Sequence, residues 1–180
     1  MEKGLTFQSL ENKRDMTTAN ILDVISEEQI RDIIDIDAKI FPTMPIEEKE
    51  IRDTLKSRGV QILLKNLDSK TIGYIISLPH EDAYEFLSEN DPNIIKEIGG
   101  LYIESIGILP EYRSLKNFNR LCSALVSEAQ QRGFKKITAH VRSSEGLSEV
   151  LQKRFGALKF STYDNWAGFN EPFDYLEILL

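Results

Sequence analysis

The residues best suited to chemistry lie between positions 101 and 120. Glu104 is the lone acid in an apolar run, Leu101-Tyr-Ile-Glu-Ser-Ile-Gly-Ile108. Read as a strand, the run alternates faces and sets Glu104 beside Tyr102, Ile106 and Ile108. A carboxylate drawn partly out of water is costly when charged, so its pKa climbs toward the range of a general base. An acid at a sheet end, or one bonded to a neighbour, gives the same pattern, because structural networks also perturb carboxylates. Past Pro110, Arg113, Lys116 and Arg120 place three cations and no acid within eight residues. An apolar-periodic helix follows and runs to Gly133, so this turn opens a helix N-terminus. Unpaired amides and the helix dipole favour an anion there. A plain surface loop is the alternative.

Other reactive types are sparse. Cys122 falls on the helix after the turn and reads as a small packed residue rather than a nucleophile. His80 and His140 are far apart, with no thiolate cluster, so neither a metal site nor a Ser-His-Asp or Cys-His arrangement is expected. His140, on a strand beside Val141, reads as a core or edge residue. Gly107 allows a bulge or the close approach of another group, or is an ordinary strand glycine.

The elements that must position these groups follow from periodicity and punctuation. Residues 1–19 are polar, lack a sustained period and read as a mobile arm. Ile21–Ile25 is a short strand candidate. Ser26-Glu-Glu-Gln29 has the spacing of a capping box, and Ile30, Ile33, Ile34 and Ile36 give the stripe of a helix stopped at Phe41-Pro42. A charged helix over 46–57 ends before Gly59. Val60–Asn66 and Thr71–Leu78 read as a hairpin. Residues 79–100 form the one long connection and carry six acids against one lysine. They read either as a solvated helical insertion or as an acidic lid over an amine. Strand 136–141, helix 145–155 and closing strands 158–163 and 173–180 complete the chain, the last two joined by a Gly- and Asn-rich turn. The resulting class is α/β (α+β), a seven-stranded mixed sheet with helices on both faces.

Composition sets outer limits. The 180 residues suffice for one well-buried core, here a single domain over 20–180, and are too few for two ordinary domains. Hydrophobic and charged fractions of 41% and 28% are those of a globular protein. The net charge of −7 argues against broad nucleic-acid binding. No apolar run is long enough for a bilayer, no signal peptide is visible, and one cysteine fits a reducing compartment; the expected location is cytoplasmic.

The stretch from Leu101 to Gly156 resembles the GNAT superfamily of acyl-coenzyme A dependent N-acyltransferases. Pro110, Tyr112, Arg113, Leu121, Ala124, Leu125, Ala129, Gly133, Val141, Leu151 and Gly156 fall where that pattern has them. The resemblance implies a mostly antiparallel sheet and acetyl-CoA as co-substrate. It further implies an amine acceptor, small molecule or peptide, flanked by the first two helices. It makes Glu104 the base and gives the backbone of Ile106, Gly107 and Ile108 to the pantetheine and thioester. It assigns Arg113, Ser114, Leu115, Lys116, Asn117, Phe118 and Asn119 to the diphosphate. Three common glycines of that loop are Ser114, Lys116 and Phe118 here, and Gln152 stands at the position of the family's general-acid tyrosine. Tyr163, Tyr102 or water would then return the proton. The expected activity is transfer of an acetyl or related acyl group to a primary amine by direct attack in a ternary complex. The alternatives are a catalytically inactive binding or regulatory protein of the same fold, or use of another acyl donor. No nucleic acid, membrane or metal partner is expected, and a homodimer is allowed.

Overall fold

Seven strands form one sheet in the order β1-β2-β3-β4-β5-β7-β6. The fold is that of a computed structural model, described for residues 17–180. The strands are β1 (Thr17–Ile21), β2 (Ile62–Asn66), β3 (Thr71–Pro79), β4 (Gly100–Ile108), β5 (Lys136–Arg142), β6 (Leu158–Tyr163) and β7 (Phe173–Leu179). The helices are α1 (Glu27–Ile40), α2 (Glu48–Lys56), α3 (His80–Asn90), α4 (Leu115–Gln131) and α5 (Leu147–Phe155). Neighbouring strands pair antiparallel except β4 with β5, which α4 connects as a crossover. The expected mixed, mostly antiparallel sheet is therefore observed.

The sheet's two faces carry separate helix sets. Ile62, Leu64, Ile103, Ile137, Leu176 and Ile178 pack with Phe118, Leu121 and Leu125 of α4 and Leu151 of α5. On the opposite face Leu63, Tyr74 and Ile76 pack with Ile33 and Ile36 of α1 and Ile51 of α2. Farther along that face, Tyr102, Phe173 and Tyr175 meet Ala83 and Leu87 of α3. α1 starts at the expected capping box: Ser26 accepts from the Gln29 amide, and the Gln29 side chain accepts from the Ser26 amide at 2.8 Å. The expected strand at 21–25 lies earlier in the chain. β1 runs antiparallel to β2 from Thr17↔Asn66 to Ile21↔Ile62, and Val24, 87% exposed, falls in the bend before the cap. Two threonines outweigh the apolar run because β-branched residues fit a strand whether or not they are apolar. Residues 17–19 thus belong to the sheet rather than to an arm, and residues 1–16 lie outside the described part.

Two features of β4 position the site. Its pairing with β5 covers only Gly100↔Lys136 to Ile103↔Ala139, so the two strands part from Glu104 onward. Its register against β3 slips there as well: Ser105 faces Ile76, Ile103 faces Ser77, and Glu104 is the unmatched residue. This is a β-bulge, which inverts the alternation beyond it. Ile106 lies on the α4 face with Ile103, while Glu104 reaches across to α2. The period-two reading of Glu104 beside Ile106 and Ile108 is corrected by that one inserted residue.

Gly107 has a packing reason. A Cβ there would lie 2.7 Å from Ile40 Cδ1 and 2.8 Å from the Tyr74 ring. Ile40 can rotate away, but the Tyr74 hydroxyl is held by Asp37 and lies 2.9 Å from Ser105 Oγ. Gly107→Ala should therefore overpack this layer and cost about 1–3 kcal/mol. That would appear as a lowered urea midpoint with an unchanged slope; an unshifted midpoint would show that the ring yields freely.

Candidate active site

The parting of β4 and β5 leaves a cavity of about 340 Å3 that reaches both faces of the sheet. Ile103, Ile106, Phe118, Cys122, Ala139 and Leu151 line the α4 side. Glu50, Tyr102, Glu104 and His140 line the other, together with aromatic residues from three connections.

The open edge of β4 follows from strand geometry. The Leu109 amide donates to Ile72 of β3 at 2.9 Å, so the odd-numbered amides here face β3. Those of Ile106 and Ile108 then face away from it, toward the gap that β5 has left. The Ile108 carbonyl, on the same edge, accepts from Arg113 Nε at 3.2 Å. Peptide groups on a buried edge need partners, and β5 supplies none along this stretch. Gly107, whose amide faces β3, takes no part in this edge.

Glu104 projects from the bulge onto α2. Thr54 donates to its carboxylate, and Glu50, one turn earlier on the same helix, shares a hydrogen bond with it. Burial is the main cause that raises Glu104 to a pKa of about 7; the Thr54 hydroxyl opposes the rise and the Glu50 charge adds to it. Glu50 is also raised, first by burial. The two carboxyls therefore titrate as a coupled pair.

A third carboxyl lies near this site. Asp37 of α1, 1% exposed, accepts from the Tyr74 hydroxyl and from the Ile46 amide at 2.7 Å. Tyr74 in turn meets Ser105, next to Glu104 in the bulge. This chain ties the α1–α2 loop to the bulged strand. Nothing in the sequence marked Asp37, since an acid in a helix ordinarily faces water.

His140, the first residue of β5 beyond its pairing with β4, lies flat against Trp166, with ring centroids 3.4 Å apart and planes 11° from parallel. Its Nδ1 is 3.3 Å from the Tyr102 hydroxyl, and burial pushes its pKa down to about 3, so the ring is neutral. Tyr102 is raised, chiefly by burial. Tyr163 is placed differently. Its hydroxyl donates to Asp91, beyond α3, and the residue does not line the cavity. Gln152 points along its own helix, with Nε2 3.2 Å from the Ser148 carbonyl. Cys122 is buried, its thiol pushed up to about 12, and it is inert at neutral pH.

The turn from Pro110 to Asn119 contains no positive φ. A 3-10 turn over Pro110–Tyr112 leads to extended Arg113 and to Ser114, whose Oγ caps α4 by accepting from the Asn117 amide at 3.2 Å. Leu115 and Lys116 face solvent. Asn117 turns inward, donating to the Tyr112 carbonyl at 2.8 Å and accepting from the Thr17 hydroxyl at 2.8 Å. Phe118, 8% exposed, forms part of the cavity wall. Asn119 Oδ1 is buried without a partner among the described residues. In the 79–100 insertion none of the acids lines the cavity; Phe86 does. Its acids are used elsewhere, Glu97 pairing with Lys136 at 2.6 Å and Asp91 accepting from Tyr163. Among the described residues there is no cluster of three metal-ligating side chains, and no helix is long and apolar enough to cross a membrane.

The raised Glu104 pKa has a consequence for stability. The unfolded carboxyl ionises near 4.5 and the folded one near 7, so between these values the folded chain holds a proton that the unfolded chain has released. Stability then falls as pH rises through this window and stays reduced above it. Glu104→Gln cannot ionise and should escape the penalty. At pH 8 it should gain on the order of 2 kcal/mol over the native chain, and below pH 4.5 the gain should vanish. Urea midpoints of both proteins at pH 4 and pH 8 measure this; a pH-independent difference would contradict the raised pKa.

The comparisons with known proteins agree with this geometry. The sequence model described as the Acetyltransferase (GNAT) family matches residues 28–156. No curated sequence matches the chain. Among solved structures, the ribosomal-protein-alanine N-acetyltransferase of Escherichia coli superposes with a TM-score of 0.68 at 16% identity, covering 91% of this chain and 94% of that one. A phosphinothricin acetyltransferase of Sinorhizobium meliloti, in complex with AcCoA, gives 0.67 at 17% identity, with 91% and 89% covered. The NatC complex bound to Gag peptide and CoA gives 0.70 at 15% identity, with 91% and 98% covered. At these identities the structures speak for the fold alone. The family match spans most of the chain, with the parted strands and the bulged acid inside it, and the chain therefore belongs to the GNAT acetyltransferase family.

Proposed function

We propose that the chain transfers an acetyl or related acyl group from coenzyme A to a primary amine by direct attack within a ternary complex. The observation that carries this reading is the bulged Glu104, with a pKa of about 7, at a cavity beside the open edge of β4.

Acetyl-CoA fits the residues present on that same edge. The Ile106 and Ile108 amides offer donors to a pantetheine chain and to the carbonyl of its thioester, and such pre-aimed donors stabilise the charge that develops on the oxygen. A cavity of this volume is at the lower end of those that hold small ligands. The diphosphate would be held at the α4 N-terminus, at the exposed Ser114 and Leu115 with Arg113, Lys116 and Asn119 around it. Bound acetyl-CoA supplies an activated acyl group; binding, deprotonation and orientation of the amine fall to the protein. Two of the structural neighbours were solved with AcCoA or CoA.

Glu104 suits the role of base because, near neutral pH, a group of pKa about 7 is both substantially ionised and still able to accept a proton. Thr54 holds the carboxylate in place. One ammonium proton passes to Glu104, which frees the nitrogen lone pair to form the amide bond as the carbon–sulfur bond breaks. A second nitrogen proton leaves with the departing sulfur. Tyr102, at the cavity and protonated, is better placed than Tyr163 to relay it.

Calorimetry with acetyl-CoA is the direct test. Micromolar binding is expected, with a loss of about tenfold in Arg113→Ala combined with Lys116→Ala. The absence of binding would return the chain to the inactive alternative, and unchanged affinity in the double variant would remove the loop from the site. Glu104→Gln should lower kcat by about a hundredfold and abolish a rise in rate centred near pH 7. An unaltered profile would exclude Glu104 as base.

A further inference from the structure

The face of the cavity opposite α4 has a chemistry of its own, and the inference drawn from it rests on the acyl-transfer reading above. Its walls come from separate connections: Phe41 and Ile46 from the α1–α2 loop, Phe86 from α3, Trp166 and Phe169 from the β6–β7 connection, and Phe173 from β7. Two observations make this wall a fixed one. Trp166 and Phe169 are bridged across a two-residue turn, the Phe169 amide donating to the Trp166 carbonyl at 2.8 Å, with Ala167 and Gly168 at φ of 49° and 83°. Such a turn sets its flanking residues opposite one another on one face. A non-glycine residue in the left-handed region, here Ala167, carries a strain of about 1–2 kcal/mol that the surrounding packing must hold. Stacking on His140 then fixes the Trp166 ring to β5.

The charges are arranged in one sense. Glu50, Glu104 and Glu145 line the cavity against a single cation, Arg142. That cation is already engaged. Its Nη1 donates to Glu145 at 3.3 Å, its Nε pairs with Glu171 at 2.8 Å, and its guanidinium lies 5.3 Å from the Phe41 ring centroid and 5.5 Å from that of Phe169. An incoming carboxylate would meet a cation whose charge Glu145 and Glu171 already share, in a cavity also lined by Glu50 and Glu104. An ammonium meets the reverse situation, with two carboxyls and aromatic faces.

We propose that the acceptor is an arylalkylamine or similarly apolar primary amine without a carboxylate. Its ammonium is held at the Glu50–Glu104 pair, and its body packs against Phe41, Phe86 and Trp166. Glu50 acts on the amine by binding it, not by taking its proton. The group transferred and the fate of both protons are those given above.

Trp166 is the only tryptophan in the sequence, so its fluorescence reports on this wall without any turnover. The protein should be titrated with 2-phenylethylamine, L-phenylalanine and spermidine, alone and with acetyl-CoA. The first shares its ring with the second and its ammonium with the third. Saturable change is expected with 2-phenylethylamine at an affinity about tenfold or more above the other two, weakened about fivefold in Glu50→Gln with an unchanged circular dichroism spectrum. Equal or tighter binding of phenylalanine or spermidine, or no saturable change with 2-phenylethylamine under either condition, overturns the assignment. The two readings fail separately. Should 2-phenylethylamine bind while acetyl-CoA gives no heat in the calorimeter, acyl transfer falls and the ligand class stands. Should CoA be released with phenylalanine or spermidine but not with 2-phenylethylamine, the ligand class falls and acyl transfer stands.

Discussion

The site depends on where two hydrogen-bond ladders stop. β4 is joined to β3 as far as Ile108, and β5 to β7 along its whole length, from Lys136↔Leu179 to Arg142↔Phe173. Between β4 and β5 the ladder ends at Ile103↔Ala139. Each inner strand is thus held by its outer neighbour while the two inner edges diverge. A peptide edge inside a protein is costly when unpaired, so it persists only where side chains, water or a ligand complete it. Arg113 completes one position of the β4 edge at the Ile108 carbonyl. The amides of Ile106 and Ile108 are left to donate to something narrow enough to lie between the strands.

Two of the carboxyls near the gap, Asp37 and Glu104, are buried alike and held differently. Burial raises both Asp37 and Glu104. Asp37 uses its oxygens on Tyr74 and the Ile46 amide and is sealed in the core, where it joins a loop to a strand. Glu104 has one hydroxyl from Thr54, an acidic neighbour in Glu50, and a side open to the cavity. Among the described residues neither is paired with a cation. The first is satisfied, and the second is left with a proton it can give or take. The bulge sets what surrounds it: Glu104 keeps the face that alternation from Tyr102 gives it, and the extra residue turns Ile106 and Ile108 to the opposite face.

Much of the fold was legible in the sequence because periodicity and caps are local. The capping box at Ser26, the hairpin around residues 67–70, the helix from the turn to Gly133 and the two closing strands needed only short-range signals. β1 was misplaced because its pairing partner β2 lies forty residues on, and threonines carry no hydrophobic signal. The site was legible in part. Glu104 stood out as an acid in an apolar run and shares a face with Tyr102 as expected, but the turn of Ile106 and Ile108 to the other face depended on a register slip against β3 that no residue type announces. Asp37, Trp166 and Arg142 were missed for the same reason: their roles exist only through Ile46 and Tyr74, His140, and Phe41 and Phe169, which meet them across the fold. The acidic insertion was misleading in composition, since what it brings to the cavity is a phenylalanine.

The turn before α4 has no position whose backbone requires glycine. Glycine is needed where φ is positive, and from Pro110 to Asn119 no residue has such a φ. The path to the helix is made by a 3-10 turn and an extended serine cap, geometries open to any side chain. Ser114, Lys116 and Phe118 therefore stand there without backbone strain. Lys116, in the first turn of α4, points to solvent and brings charge to an anion-favouring helix end. Phe118, two residues on, points inward and becomes wall. A ring at that position narrows the α4 side of the cavity, where a cofactor arm would run, and leaves the opposite aromatic side untouched. On the proposed reading, a carrier entering there is a thin chain held by the β4 edge, and recognition rests on Ile106 and Ile108 more than on the loop backbone.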